Sequence, residues 1–142
     1  MQYDQFLKES PPGCPFCRHE AFDPTVLITQ NRKMLLTVAK APYVRDQLLI
    51  IPKRHIERFS DLTFLELLYY WKMIVWAEKR LTSLGYSGYS QLLREGDGVG
   101  KSIPHLHFHL IPGHEVHIQN STVKRRVLSV KELRATVERF FK

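Results

Sequence analysis

The run His105-Leu106-His107-Phe108-His109-Leu110-Ile111-Pro112 constrains this chain more than any other stretch. In an extended strand, residues two apart share a face, so the three histidines project together while Leu106, Phe108 and Leu110 point to the opposite side. Such a strand belongs in a sheet with one face on an apolar core and the other lined with imidazoles. At ~3.3 Å per residue the outer histidines stand roughly 13 Å apart, too far to share one ion with bonds of ~2.1 Å. The row therefore suits neighbouring, separate tasks. Imidazole near neutral pH serves as a nucleophile toward phosphorus, a general acid or base, or a donor to phosphate oxygens. A hydrogen-bonded structural histidine, the ordinary reading for His19, His114 or His117, does not account for three in alternation.

The loop in front of the row fits an anion. Gly96, Gly98 and Gly100 allow close backbone approach, and Lys101 and Ser102 add a cation and a hydroxyl, all groups from which phosphate oxygens accept. Glycines between strands are by themselves only a turn, and it is the place beside the histidines that gives them weight. A net charge of +7, from 21 Lys plus Arg against 14 Asp plus Glu, favours nucleotides, polyphosphates or nucleic acid as partners. Part of that excess, Lys124-Arg125-Arg126, reads as solvated surface.

With 142 residues, 44% of them hydrophobic and 25% charged, the chain fills one globular core. The start Met1-Gln2-Tyr3-Asp4-Gln5-Phe6 lacks a secretory pattern and no run approaches the ~18 apolar residues of a membrane span, so a cytoplasmic address and no membrane are expected. Thr25–Thr29 and Lys33–Val38 read as a hairpin around Gln30-Asn31-Arg32, and Gln47–Ile51, ending at Pro52, as a strand buried on both faces. Leu62 to Leu84, with apolar Leu65, Leu68, Trp71, Val75, Trp76 and Leu84, follows Ser60-Asp61 and stops at Gly85, a long helix with caps at both ends. Tyr89–Leu93 and the histidine run make two further antiparallel strands. Ser129-Val130-Lys131-Glu132 has the form of a capping box opening a short helix to about Phe141. The order predicts an α+β fold around an antiparallel sheet.

Cys14 and Cys17, the only cysteines, are too few and too close for a secreted disulfide framework and suit metal or redox chemistry. As a metal site they supply half of a tetrahedron.

Taken together, the histidine run, the segment Leu49-Ile50-Ile51-Pro52-Lys53-Arg54-His55, the long helix after it and Cys14-Pro15-Phe16-Cys17 resemble the histidine triad (HIT) superfamily of nucleotide hydrolases and transferases. Its signature is H-x-H-x-H-x-x with apolar residues between the histidines. The resemblance reaches from Cys14 to Pro112, so residues 1–142 are expected as a single HIT-like domain with a core over about 14–112 and a C-terminal extension over about 113–142. It implies a five-stranded antiparallel sheet with the long helix packed on it, in a homodimer. It further implies that His107 attacks the α-phosphorus of a nucleotide to form a nucleotidyl-histidine that water cleaves, and that His109 and Ser102 donate to phosphate oxygens. His107 would be held in one tautomer by a bond from its other nitrogen, for which the sequence names no side chain. In zinc-bearing branches, including relatives of galactose-1-phosphate uridylyltransferase, the ligands completing the cysteine pair stand at the positions of His55 and His105. The resemblance thus implies a closed, structural zinc on Cys14, Cys17, His55 and His105. The other reading is a pair of free thiols with His55 capping the segment that follows it.

Three positions depart from the family pattern. The ribose-contacting Asp falls at Ala39, a phosphate- or sugar-contacting Asn at Arg94, and a common Gln at Lys101. The expected phosphate contacts are therefore Ser102, Lys101, Gly100 and Arg94, and the added charge favours a polyphosphate chain, as in a dinucleoside polyphosphate, over a phosphoramidate. Phe16 stands where relatives pack an aromatic near the base, and a core role is equally open to it. Transferase branches carry Gln at the third triad position, so His109 points to hydrolysis. The competing class is a non-catalytic, zinc-stabilised module binding nucleotide or RNA, for which Ala39 and Lys124-Arg125-Arg126 speak and against which His107 and His109 speak.

Overall fold

The computed structural model describes residues 1–2, 5, 8, 13–18, 22–98, 103–113 and 125–142. Gly100, Lys101, Ser102 and Lys124, with His19, His114 and His117, lie outside them. Strands β1 (Leu27–Gln30) and β2 (Met34–Val38) form the expected hairpin. Asn31 builds its turn, the Oδ1 accepting from the Lys33 and Met34 N–H groups at 3.1 and 2.8 Å, an Asx turn in which side chain replaces backbone. Strand β3 (Leu48–Pro52) pairs with β2, helix α1 (Phe64–Ser83) crosses back, β4 (Tyr89–Leu93) and β5 (Phe108–Pro112) follow, and α2 (Val130–Arg139) closes the chain. The sheet order is β1-β2-β3-β5-β4 with every pair antiparallel, the α+β arrangement expected from the sequence.

Period-two alternation sorts the sheet into two faces. Met34, Leu36, Val38, Leu48, Ile50, Phe108 and Leu110 face α1, where Met73, Ala77 and Leu81 meet them, and Leu133 and Phe140 of the C-terminal segment join the same core. On the opposite face Leu35 and Ile51 pack with Phe16, Phe22, Leu27 and Leu49. Strand β5 ends at Gly113, whose φ of +68° suits glycine and where a Cβ would come within 2.9 Å of the Tyr86 ring.

The structure corrects or sharpens the sequence reading at three points. The N-cap of α1 is Thr63, not Ser60-Asp61, which belong to a 3₁₀ turn over Phe59–Asp61. The Thr63 hydroxyl accepts from the Glu66 N–H at 3.1 Å and the Glu66 carboxylate from the Thr63 N–H at 3.0 Å, a reciprocal pair that Ser60 has no acidic partner to make. The stripe of α1 that packs on the sheet is Met73, Ala77 and Leu81. Of the apolar residues that mark this helix in the sequence, Leu65, Leu68 and Trp71 are 38%, 39% and 60% exposed. The start of α1, Phe64-Leu65-Glu66-Leu67-Leu68-Tyr69-Tyr70-Trp71, is apolar nearly all round, so periodicity alone cannot choose its face. Finally, β5 begins at Phe108, so that of the three histidines only His109 lies within the strand.

Both helices use the same starting device. Glu66 completes the box of α1 and also receives Arg54 through Nη2 and Nε at 2.7 and 3.3 Å. Glu132 completes the box of α2 with Ser129 and receives Arg126 through Nη2 and Nη1 at 2.7 and 3.0 Å. Arg54, then the Thr63 bonds, hold the buried Glu66 carboxyl down at about 2.

Candidate functional site

Strand β3 ends where the site begins. Beyond Pro52 the chain leaves the ladder, and the Pro52 carbonyl accepts from Nε2 of His105 at 2.8 Å. A carbonyl only accepts, so His105 carries its proton on Nε2 and presents the Nδ1 lone pair inward. That nitrogen lies 3.4 Å from Cys14 Sγ, 3.5 Å from Cys17 Sγ and 3.2 Å from His55 Nδ1, and Cys17 Sγ lies 3.1 Å from His55 Nδ1. The four ligand atoms fall within 4.8 Å of one another. A tetrahedral zinc with bonds of ~2.05 Å to nitrogen and ~2.3 Å to sulfur needs edges of about 3.3–3.8 Å, so the four residues fit the ion. Burial, then neighbouring Cys14, pushes the Cys17 thiol up, while burial pushes His105 down and keeps its imidazole neutral, the form that ligates a metal. With four protein donors the ion would brace the loop carrying Cys14 and Cys17 against β3 and leave no open position for water. The carbonyl bond to His105 is the outer support such a ligand needs.

His107 and His109 follow on the same side, their ring centroids 5.0 Å apart. Although His105 and His107 precede the strand, the alternation persists: Leu106, Phe108 and Leu110 enter the α1-side core, while the three histidines are buried on the other side at 1%, 8% and 8% exposure. Nδ1 of His107 lies 2.8 Å from the His105 carbonyl. It must donate there, which leaves the lone pair on Nε2.

His109 has the opposite tautomer. The Tyr43 N–H donates to Gln47 Oε1 at 2.6 Å, and that bond fixes which end of the amide is oxygen. Gln47 Nε2 therefore donates to Nδ1 of His109, 3.0 Å away, and His109 keeps its proton on Nε2. Burial, with the positive fields of His107, Arg94 and Arg125 behind it, pushes His109 down to about 3, so the ring stays neutral through the physiological range. His109 thus offers an N–H on Nε2, and His107, with Nδ1 given to the His105 carbonyl, turns Nε2 to the site. One can attack phosphorus while the other donates to its oxygens.

Around this pair, Phe16 stands edge-on to the His105 and His107 rings, at 5.5 and 5.4 Å between centroids, while packing with Leu35 and Ile51. Its ring thus bridges that apolar cluster and the histidine row. Ala39 is buried at 4% and brings no carboxylate. Arg94 donates from Nη1 to the Tyr43 hydroxyl at 2.7 Å, near His109. The structure brings Cys14, Cys17, His55, His105, His107, His109, Phe16 and Arg94 into one region, and Gly100, Lys101 and Ser102 lie outside the described residues.

Sequence reasoning missed Gln47, Tyr43 and Arg125. Gln47 left a signal: it is the polar residue two positions before Leu49, and Leu49 pairs with His109, so period two puts it on the histidine face. The partners of His105 and His107 are backbone carbonyls, which no residue type announces.

The HIT domain family matches residues 21–116, and the chain belongs to that family. It is 29% identical to an uncharacterised HIT-like protein of Methanocaldococcus jannaschii over 103 residues, 72% of this chain and 80% of that one. Among solved structures, a diadenosine triphosphate hydrolase from Plasmodium falciparum crystallised with cyclomarin A shares the fold at a TM-score of 0.71 and 15% identity, over 83% of this chain and 75% of that one. A zinc-bound histidine triad family protein from Mycobacterium smegmatis shares it at a TM-score of 0.60 and 20% identity, over 91% and 96% of the two chains. Among the described residues no helix is long and apolar enough to cross a membrane.

Proposed function

We propose that this chain is a nucleotide hydrolase of the histidine triad type. Nε2 of His107 attacks the α-phosphorus, the bond from phosphorus to the leaving group breaks, and water then cleaves the nucleotidyl-histidine to restore the lone pair. The observation that carries the reading is the opposed tautomers of His107 and His109, fixed by the His105 carbonyl and by Gln47. Nε2–H of His109 serves the phosphate oxygens, with Ser102, Lys101, Gly100 and Arg94 as further contacts and Phe16 beside the base. Zinc on Cys14, Cys17, His55 and His105 is structural in this reading. The working site is the homodimer of a cytoplasmic protein. Phe64, Leu67, Leu68 and Trp71 form an exposed apolar face on α1 and β4 is an edge strand, the two features that a second copy would cover.

The test is incubation of wild type and His107→Ala with nucleoside phosphoramidates, dinucleoside polyphosphates and nucleotide sugars, with mass spectrometry for a nucleotidylated protein. Wild type should turn over at least one class, and His107→Ala should lose about 10³-fold or more. Neither turnover nor adduct across the panel would shift the function to a non-catalytic nucleotide- or RNA-binding module. Trp71→Glu should turn the dimer into a monomer in sedimentation, and a wild type that is already monomeric would remove that assignment.

A further inference from the structure

Beyond His109, at the end of the row away from the Cys/His cluster, the described residues form an aromatic-cationic stack. The Arg125 guanidinium carbon lies 4.3 Å from the centroid of the Tyr43 ring and that of Arg94 lies 5.6 Å from it. The Tyr43 and His109 rings are 6.5 Å apart between centroids. Arg125 is delivered by the C-terminal segment, which runs along the loop between β2 and β3: the Leu128 N–H donates to the Lys40 carbonyl at 2.8 Å, and Arg125 Nη1 reaches the Ala41 carbonyl at 3.4 Å. Tyr43 and Arg125, with Arg45, also line a cavity of about 450 Å³ that Gln47 reaches. Of the other arginines there, Arg126 is held by Glu132 and Arg139 by Asp46 at 3.0 Å. The contacts over the Tyr43 ring and the shared cavity lining join Arg94, Arg125 and Arg45 into one cationic strip.

Resting on the proposed hydrolase reading, we infer that Arg94, Tyr43 and Arg125 form one clamp for an anionic leaving group, and that the C-terminal segment thereby carries a specificity-determining residue. When Nε2 of His107 forms its bond to phosphorus, the departing atom takes the electron pair of the broken bond. A polyphosphate leaves as an oxyanion whose added charge two guanidiniums stabilise directly. An amine leaving group needs a proton instead, which a guanidinium with a pKa above ~12 does not give. The clamp thus favours phosphoanhydride over phosphoramidate substrates. Water then attacks phosphorus, the N–P bond returns its pair to Nε2, and a water proton passes to solvent.

The experiment compares wild type, Arg125→Gln and Arg125→Lys on diadenosine tetraphosphate and on an adenosine 5′-phosphoramidate. It also measures calorimetric binding of inorganic tripolyphosphate and of a short single-stranded RNA. Arg125→Gln should lower the tetraphosphate-to-phosphoramidate ratio of kcat/KM by about tenfold or more and weaken tripolyphosphate to a similar degree, as expected for losing a charge-assisted contact. Arg125→Lys should recover part of both. Equal losses on the two substrates at unchanged Tm, or an undiminished affinity for tripolyphosphate, would overturn the clamp, as would RNA binding that is stronger than tripolyphosphate and equally sensitive to Arg125. If no substrate is turned over, the hydrolase reading fails, and the tripolyphosphate arm still decides whether the three residues form an anion site.

Discussion

On the helix side of the sheet, Leu36, Ile50, Phe108 and Leu110 meet Met73, Ala77 and Leu81 through apolar contact alone. On the other side Gln47, His105, His107 and His109 are buried almost as deeply, and each is held by a hydrogen bond of defined direction. Apolar burial is additive and tolerant of direction, so that face supplies stability. A buried polar group must find its partner or cost free energy, so the second face gains tautomers and orientations in return for a fragile network.

Leu36→Ala should separate the two faces most sharply. It is fully buried, and its truncation should cost about 2–5 kcal/mol in denaturant unfolding while zinc content and the turnover of the folded fraction stay near wild type. Loss of metal or activity in proportion to stability would mean the faces are not separate. Cys17→Ser comes next: zinc stoichiometry should fall toward zero and Tm by several degrees, corresponding to about 2 kcal/mol, and an unchanged metal content would end the zinc assignment. Gln47→Leu should leave Tm within a few degrees but lower kcat about tenfold, because Nδ1 of His109 loses its donor and the ring is free to take the other tautomer. An unchanged kcat would mean that His109 does not act through Nε2–H.

The pH dependence of stability tests the second face separately. His109 titrates near 3 in the fold and near ~6.5 when unfolded. Its contribution is therefore complete above about 6.5 and is lost as the pH falls toward 3, because the unfolded chain takes up the proton first. His109→Asn should flatten that part of the profile, and a profile identical to wild type would place the loss elsewhere.

The histidine face was legible because three imidazoles alternate with Leu106, Phe108 and Leu110, and the strands because apolar runs end at Asn31, Pro52 and Gly113. The start of α1 was not, since Leu65, Leu68 and Trp71 obey the helical period as well as Met73 and Ala77 do. The Thr63–Glu66 box is a local signal already present in the sequence, whereas the Arg54 pair that holds Glu66 joins separate segments and needs the fold to exist. The second layer of the site stayed hidden for a related reason. Carbonyls of Pro52 and His105 have no side-chain signature, and Arg125 sits in a basic run whose ordinary reading is solvent.

The paired glutamates have one more consequence. Each arginine they hold stands next in sequence to a residue of the proposed site: Arg54 precedes His55, and Arg126 follows Arg125. The two helix starts are mooring posts, each fixing one end of a connecting segment so that its neighbour arrives at a set place however the rest of that segment varies. Each glutamate thus ties the start of a helix to the backbone beside a site residue, so that one carboxylate serves two distant parts of the chain.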